Sequence, residues 1–191
     1  MAHRTKTWCM AAAALVMAAP QFALRDTEGT VHRQEEWSKA QAIVIFFTTT
    51  DCPLSNGYVP EMNRIRKAYW DRGVAFYAVQ TDTTIGESEV RRHARDFAFS
   101  FPVLLDPQQF LVQLAGATAT PEVAVLSSSG KVLYLGRIDN RVEDFDKRRS
   151  VVTASDLRDA LDAVLSGKPV PHARTPVVGC GINFVTQEKK P

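Results

Sequence analysis

A continuous apolar run that leads into a cysteine most constrains how this chain folds. Residues 42–47, Ala-Ile-Val-Ile-Phe-Phe, form a short segment rich in β-branched and aromatic side chains. This pattern is typical of a strand buried on both faces. Pro53 suits the first turn of a helix, because its missing N–H is not needed there. The apolar residues that follow at helical spacing are Tyr58, Met62, Ile65 and Tyr69. Cys52 therefore lies where a buried strand passes into a helix.

A cysteine at this point of the chain is expected to be reactive. The free N–H groups and the positive dipole end of a helix N-terminus stabilise a thiolate. Asp51 opposes ionisation if its carboxylate faces the sulfur, because like charges repel. The position of Cys52 thus predicts a nucleophilic thiol.

Composition limits the other functions that the chain can serve. Its 191 residues are 45% hydrophobic, which suits one globular domain with a sizeable core. The net charge is +2, and no basic run is interleaved with aromatic residues, so nucleic acid is not an expected partner.

The first 19 residues have the pattern of a secretory signal peptide. Arg4 and Lys6 precede an apolar, alanine-rich stretch over residues 8–19 that is too short to span a bilayer as a helix. We therefore expect a periplasmic or otherwise exported bacterial protein with no stable span in its mature chain. Cleavage would remove Cys9 and leave Cys52 and Cys180, which suits one redox pair or two independent thiols.

The elements predicted along the rest of the chain indicate a mixed α/β domain over residues 20–166. A hairpin over residues 22–33 comes first, and a βαβ unit then ends in the strand 74–79. A helix over 88–97 and a short extended piece over 101–106 follow. The last predicted elements are the strands 121–126 and 131–135, the helix 153–165 with Thr153 as its cap, and an extended tail over 167–191.

This order of elements resembles the thioredoxin fold, with a mixed central sheet of βαβ and ββα units flanked by helices. In such proteins a cis-proline opens the ββα unit and faces the active cysteine, and Thr120-Pro121 matches that position. The resemblance implies that Thr120 and Pro121 shape the substrate site. The start of the domain and the Pro60-Glu61 pair are similar to peroxiredoxin-type and periplasmic redoxin proteins.

Within that superfamily the resemblance points to a Cys-x-x-Ser variant. Ser55 stands where thioredoxins carry their second cysteine, so the vicinal disulfide cannot form. Thr49 matches the hydroxyl residue that peroxiredoxins place three residues before their cysteine, whereas Ile45 stands where they have proline. The resemblance also implies an arginine near the thiolate, for which Arg137 is the candidate by position.

The mechanism implied is attack by the Cys52 thiolate on a peroxide or a disulfide, with antioxidant activity and no cofactor. The Thr49 and Ser55 hydroxyls are expected to donate hydrogen bonds to the sulfur, and Arg137 to polarise a peroxide. Cys180, carried on a flexible tail, is the candidate resolving cysteine. A reducing thiol protein would complete the cycle.

Two other classes of function stay open on the sequence. A non-catalytic binding module would hold an extended partner at the surface around Pro121. A copper-handling or other metal accessory protein would use Cys52 and Cys180 with a histidine such as His172, although their spacing matches no known ligand pattern.

Overall fold

The computed structural model describes residues 22–185, and the predicted signal peptide and Cys9 lie outside them. A small antiparallel hairpin opens this part, formed by β1 (Ala23–Arg25) and β2 (Val31–Arg33). The Asp26 carboxylate accepts the backbone N–H groups of Glu28 and Thr30, which closes the turn. A short 3₁₀ helix over Gln34–Lys39 follows and buries Trp37.

A five-stranded mixed sheet forms the centre, in the order β5-β4-β3-β7-β8. Its parallel part consists of β3 (Ala42–Thr48), β4 (Val74–Gln80) and β5 (Val103–Leu105). Its antiparallel part consists of β7 (Glu122–Leu126) beside β3, and β8 (Val132–Gly136) beside β7. The mixed sheet confirms the predicted α/β class and the thioredoxin-like arrangement of βαβ and ββα units.

Helices cover both faces of the sheet. They are α1 (Pro53–Tyr69), α2 (Glu87–Asp96), α3 (Phe110–Ala115) and α4 (Asp156–Leu165). Because side chains alternate along a strand, Val44 and Phe46 of β3 enter one core while Ile43 and Ile45 enter the other. All seven residues of β3 are buried, as the unbroken apolar run predicts. No helix within residues 22–185 is long and apolar enough to cross a bilayer.

The predicted cap of the last helix is wrong. Helix α4 begins at Asp156 and its N-cap is Ser155, two residues after Thr153. The Asn140 side chain accepts the N–H groups of Thr153 and Ala154, and its amide donates to the Thr153 hydroxyl. This side chain from an earlier loop therefore holds Thr153 outside the helix.

The chain after α4 returns to the sheet as an extended segment that we call the strap, residues 173–185. At its start, Leu135 donates its N–H to the Ala173 carbonyl. Farther along, β9 (Cys180–Gly181) pairs antiparallel with β6 (Ala119–Thr120), and Thr120 lies opposite Cys180. As far as residue 185 the tail is extended as predicted, but backbone pairing holds this part against the domain, contrary to the expectation of a flexible arm.

Candidate active site

Cys52 is the N-cap of α1, which is the position that the sequence predicts. It is 1% exposed, and its sulfur accepts the Ser55 N–H at 3.5 Å. Pro53 occupies the first helical position, where an N–H group would have no acceptor within the helix, so its missing N–H costs nothing. The helix N-terminus thus directs a backbone donor at the sulfur, and this contact favours the thiolate.

Cys180 lies directly beside Cys52. The two residues are 128 positions apart in the sequence, yet their sulfur atoms are separated by 2.7 Å, and both cysteines are free. A disulfide bond is about 2.05 Å long, so bond formation requires only a small further approach of the sulfurs. The sequence is compatible with one redox pair or with two independent thiols. The structure places the two cysteines side by side, as a redox pair requires.

Burial and the neighbouring Cys52 sulfur keep the proton on Cys180. Burial, the hydrogen bond to Cys52, and the charges of Cys52 and Asp51 raise the pKa of the Cys180 thiol to about 12. Its S–H donates to the Cys52 sulfur. In the reduced protein, Cys180 is therefore the hydrogen-bond donor and Cys52 the acceptor.

Thr120 contributes its backbone to the site. The Thr120-Pro121 peptide bond is cis, as the resemblance implied. As a thiol, Cys52 donates its S–H to the Thr120 carbonyl at 3.2 Å. The same residue pairs with Cys180 through β6 and β9. Thr120 thus contacts one cysteine and aligns the other.

Neither predicted hydroxyl donates to the sulfur. Ser55 is fully buried, and its hydroxyl donates to the Thr48 hydroxyl at 2.7 Å. The Thr49 hydroxyl donates to the Asp51 carboxylate at 2.8 Å and accepts the Gln80 amide at 3.4 Å. A hydroxyl has one proton, so these bonds take the donors away from Cys52. Both side chains act on the loop around the sulfur, and the Ser55 backbone supplies the direct contact.

Arg137 is brought to the wall of a neighbouring cavity. This cavity, of about 370 Å³, is lined in part by Tyr58, Pro121, Arg137 and Pro176. The Arg137 Nε donates to Asp156 at 2.8 Å, and this ion pair raises the pKa of the guanidinium even though burial opposes it. Its role in polarising a peroxide stays a prediction, because Asp156 engages the side chain in this structure.

Two anchors of the strap were missed by the sequence reasoning. Gln109 is completely buried; its amide donates to the Asn183 carbonyl at 2.7 Å and its Oε1 accepts the Val185 N–H at 2.9 Å. On the other side of Cys180, the Thr175 hydroxyl accepts the Arg137 N–H and shares a 2.6 Å hydrogen bond with Tyr134. No local sequence pattern marks these residues, because each forms its hydrogen bonds with residues that are far away in the sequence.

A metal-binding arrangement has no counterpart in this region. Within the described part of the chain, no group of three or more His, Cys, Asp or Glu side chains is arranged to hold a metal ion. The chemistry that the site offers is that of two adjacent thiols, with the Ser55 N–H and the Thr120 carbonyl in contact with one of them.

Fold and site together define a class, the thiol-based oxidoreductases with a thioredoxin-like fold. Comparison with known sequences gives the family: the chain belongs to the redoxin family, whose model matches residues 16–154. It is similar to a thiol-disulfide oxidoreductase ResA from Geobacillus thermodenitrificans, with 29% identity over 123 residues, 63% of this chain and 68% of the relative.

Solved structures share the architecture over most of the chain. An uncharacterized conserved protein from Geobacillus kaustophilus is 30% identical with a TM-score of 0.74, over 89% of this chain and 92% of its own. A hypothetical protein from Sinorhizobium meliloti 1021 is 26% identical with a TM-score of 0.75, over 87% and 92%. The fold therefore extends beyond the part matched by the ResA relatives and includes most of the described chain.

Proposed function

We propose that the protein is a two-cysteine thiol peroxidase in which Cys52 is the nucleophile and Cys180 the resolving thiol. The observation that carries this proposal is the 2.7 Å separation between the Cys52 sulfur and the sulfur of Cys180, which the strap carries. A small oxidant is favoured because Cys52 is only 1% exposed, which obstructs a bulky protein disulfide more than a peroxide.

The first step oxidises Cys52. Its thiolate attacks one peroxide oxygen, the O–O bond breaks, and the leaving oxygen takes a proton and departs as water or an alcohol. Cys52 becomes a sulfenic acid. The Ser55 N–H stabilises the thiolate before attack, and Arg137 is our candidate for the group that stabilises the leaving oxygen.

The second step forms the disulfide. Cys180 loses its proton and attacks the Cys52 sulfur, and the sulfenic hydroxyl leaves as water. Oxidation also removes the negative charge of Cys52, one of the causes that raise the pKa of Cys180. The attacking thiolate thus forms more readily once the first step has occurred. A dithiol reductant returns the disulfide to two thiols.

Thiol-disulfide exchange without peroxide is the second candidate. The ResA relatives carry the name thiol-disulfide oxidoreductase, and that name favours a disulfide as the oxidant. The same pair of cysteines serves either oxidant, since a thiolate attacks a disulfide sulfur as it does a peroxide oxygen. The choice between them rests on the access that the strap allows.

The test compares the two oxidants on the full chain. With dithiothreitol as reductant, wild type is expected to consume hydrogen peroxide faster than it reduces a protein disulfide such as that of insulin. Cys52→Ser should abolish both reactions. Cys180→Ser should still react once with peroxide and then accumulate a Cys52 sulfenic acid that dimedone traps.

Other outcomes have definite readings. Faster turnover of insulin than of peroxide would favour the exchange candidate. Full turnover by Cys180→Ser with no trapped sulfenic acid would exclude the resolving role. If the protein catalysed neither reaction, the result would favour the alternative function, a non-catalytic binding module.

We also propose that the protein is exported. Two basic residues followed by the alanine-rich stretch at residues 8–19 support a signal peptide, and a redox pair of cysteines suits an extracytoplasmic compartment. Fractionation of a bacterial host that expresses the full chain, followed by N-terminal sequencing, tests this proposal. Recovery of an uncleaved protein from the cytoplasm would contradict it.

A further inference from the structure

The two sulfurs of the site differ in how readily an external molecule reaches them. Cys52 is 1% exposed, whereas Cys180 is only half-buried on the strap. We propose that an external reductant attacks the sulfur of Cys180, so that Cys180 forms the mixed disulfide and Cys52 is the leaving group. This inference rests on the proposed Cys52–Cys180 disulfide and names its point of entry.

The geometry of exchange makes access decisive. A thiolate attacks a disulfide sulfur along the line of the S–S bond, from the side opposite to the sulfur that leaves. Around Cys52 that approach is closed, because its sulfur contacts the Ser55 N–H and the Thr120 carbonyl and almost no solvent. Attack on Cys52 would therefore require the first turn of α1 or strand β6 to move.

Beside Cys180 the surroundings are more open. The next residue, Gly181, is exposed, and a β-carbon built there would have no heavy atom within 4 Å. The edge of the strap that follows Cys180 thus leaves space for an incoming side chain. A reductant that carries its own cysteine on an exposed loop can reach this edge without unfolding the site.

Leaving-group stability favours the same direction. When Cys180 is attacked, the departing electron pair stays on Cys52, where the Ser55 N–H and the helix N-terminus stabilise a thiolate. Attack on Cys52 would instead expel Cys180 as a thiolate near Asp51, at a site where burial raises the pKa of that thiol. A poorer leaving group slows exchange.

The complete exchange is balanced with a dithiol as the reductant. Its first thiolate forms a bond to the Cys180 sulfur while the Cys52–Cys180 bond breaks, and Cys52 leaves as a thiolate. The second thiolate of the reductant then attacks the reductant sulfur that is bonded to Cys180. The mixed disulfide breaks, and Cys180 leaves and takes up a proton. The reductant ends as a disulfide, and the two electrons that it loses reduce the protein.

The experiment locates the mixed disulfide by mass. Full-length wild-type protein is oxidised with one equivalent of hydrogen peroxide, treated briefly with glutathione, and quenched in acid to stop further exchange. Trypsin leaves Cys52 within residues 40–64 and Cys180 within residues 175–189, so each peptide reports on one sulfur. We expect the glutathione mass on the Cys180 peptide and none on the Cys52 peptide.

The control is the same oxidised protein unfolded in urea before glutathione is added. Both sulfurs are then equally accessible, and glutathione should appear on both peptides. In the folded protein, glutathione on Cys52, or an equal share on both cysteines, would overturn the inference and leave the proposed function standing. Failure to find any Cys52–Cys180 disulfide in the oxidised protein would overturn both.

Discussion

Gly179 lies against the backbone of Thr120 so closely that a side chain at position 179 cannot fit. A β-carbon built there would collide with the Thr120 carbonyl oxygen and lie 2.8 Å from the carbonyl carbon. Real β-carbons essentially never approach backbone atoms below 3.0 Å. The close approach of β9 to β6, and with it the position of Cys180 over Cys52, therefore depends on a glycine at this residue.

The first prediction concerns that glycine. Gly179→Ala should push the strap away from β6 and separate the two sulfurs, while Cys52 keeps its own contacts with α1. We expect the sulfenic acid of Cys52 to form at the wild-type rate and to be resolved at least about tenfold more slowly, a barrier increase of about 1.4 kcal/mol. Stopped-flow peroxide oxidation with dimedone trapping measures both steps.

Gly181→Ala is the matched control for this substitution. It places the same methyl group two residues away, where no heavy atom lies within 4 Å. Its resolution rate should equal that of wild type. Equal resolution rates in the two alanine variants would show that Gly179 does not hold Cys180 in place.

A second prediction concerns the anchor of the strap after Cys180. Gln109→Ala removes the amide that binds the Asn183 carbonyl and the Val185 N–H. Each lost buried hydrogen bond costs about 1–3 kcal/mol, so the strap should detach more often and the resolving thiol should be less available. Hydrogen exchange over residues 180–185 should become faster, together with a longer lifetime of the Cys52 sulfenic acid.

Gln108→Ala serves as the comparison, because Gln108 is exposed and lies next to Gln109. It should leave both hydrogen exchange and resolution unchanged. An unaltered sulfenic acid lifetime in Gln109→Ala, with faster exchange in the strap, would mean that attachment of the strap does not limit resolution.

Ser55 provides the third prediction. Because its hydroxyl donates to Thr48 and not to Cys52, Ser55→Ala should reduce stability more than reactivity. We expect the free energy of unfolding to fall by about 1–3 kcal/mol, as is typical when a buried hydroxyl loses its partner. The rate at which peroxide oxidises Cys52 should stay close to that of wild type, since the backbone N–H remains.

Denaturant unfolding and single-turnover peroxide kinetics separate these two effects. Thr49→Ser keeps a hydroxyl beside Asp51 and is a suitable control for general disturbance of the loop. A large loss of rate in Ser55→Ala without a loss of stability would indicate that the hydroxyl does act on the sulfur.

The fourth prediction follows from the titration of Cys180. Its pKa is raised to about 12 by burial and by the hydrogen bond and charge of Cys52, with a contribution from Asp51. Its thiolate, and hence its alkylation by iodoacetamide, should therefore increase with pH up to that value. Cys52→Ala removes two of these causes, the hydrogen bond and the charge of Cys52. The pKa of Cys180 should therefore fall in this variant, and Cys180 should be alkylated faster at mildly alkaline pH.

Mass spectrometry of the peptide over residues 175–189 measures the alkylation of Cys180 alone. The urea-unfolded wild type gives the ordinary thiol as a reference. If Cys180 were alkylated with the same pH dependence in folded wild type and in folded Cys52→Ala, Cys52 would not be the group that keeps the proton on Cys180.

The differences between sequence expectation and structure have a common physical cause. Thr153 looked like a helix cap, but Asn140, thirteen residues earlier, binds its backbone and hydroxyl. The Ser55 hydroxyl is near the sulfur in sequence, but its donor goes to Thr48 on the neighbouring strand. In each case a buried polar group took a partner that only packing brings close, and local spacing does not reveal such partners.

The local sequence is sufficient to place the transition from β3 to α1 at Cys52. Burial of an unbroken apolar run, a proline at the first helical position and helical spacing beyond it are local properties that require no distant partner. It also excluded a vicinal disulfide, because Ser55 carries no thiol. Which groups face Cys52, in contrast, depends on tertiary packing. Cys180 reaches it from 128 residues away because β6 pairs with β9, Gly179 permits the close approach, and Gln109 and Thr175 hold the strap on either side. Those contacts exist only once the sheet has formed.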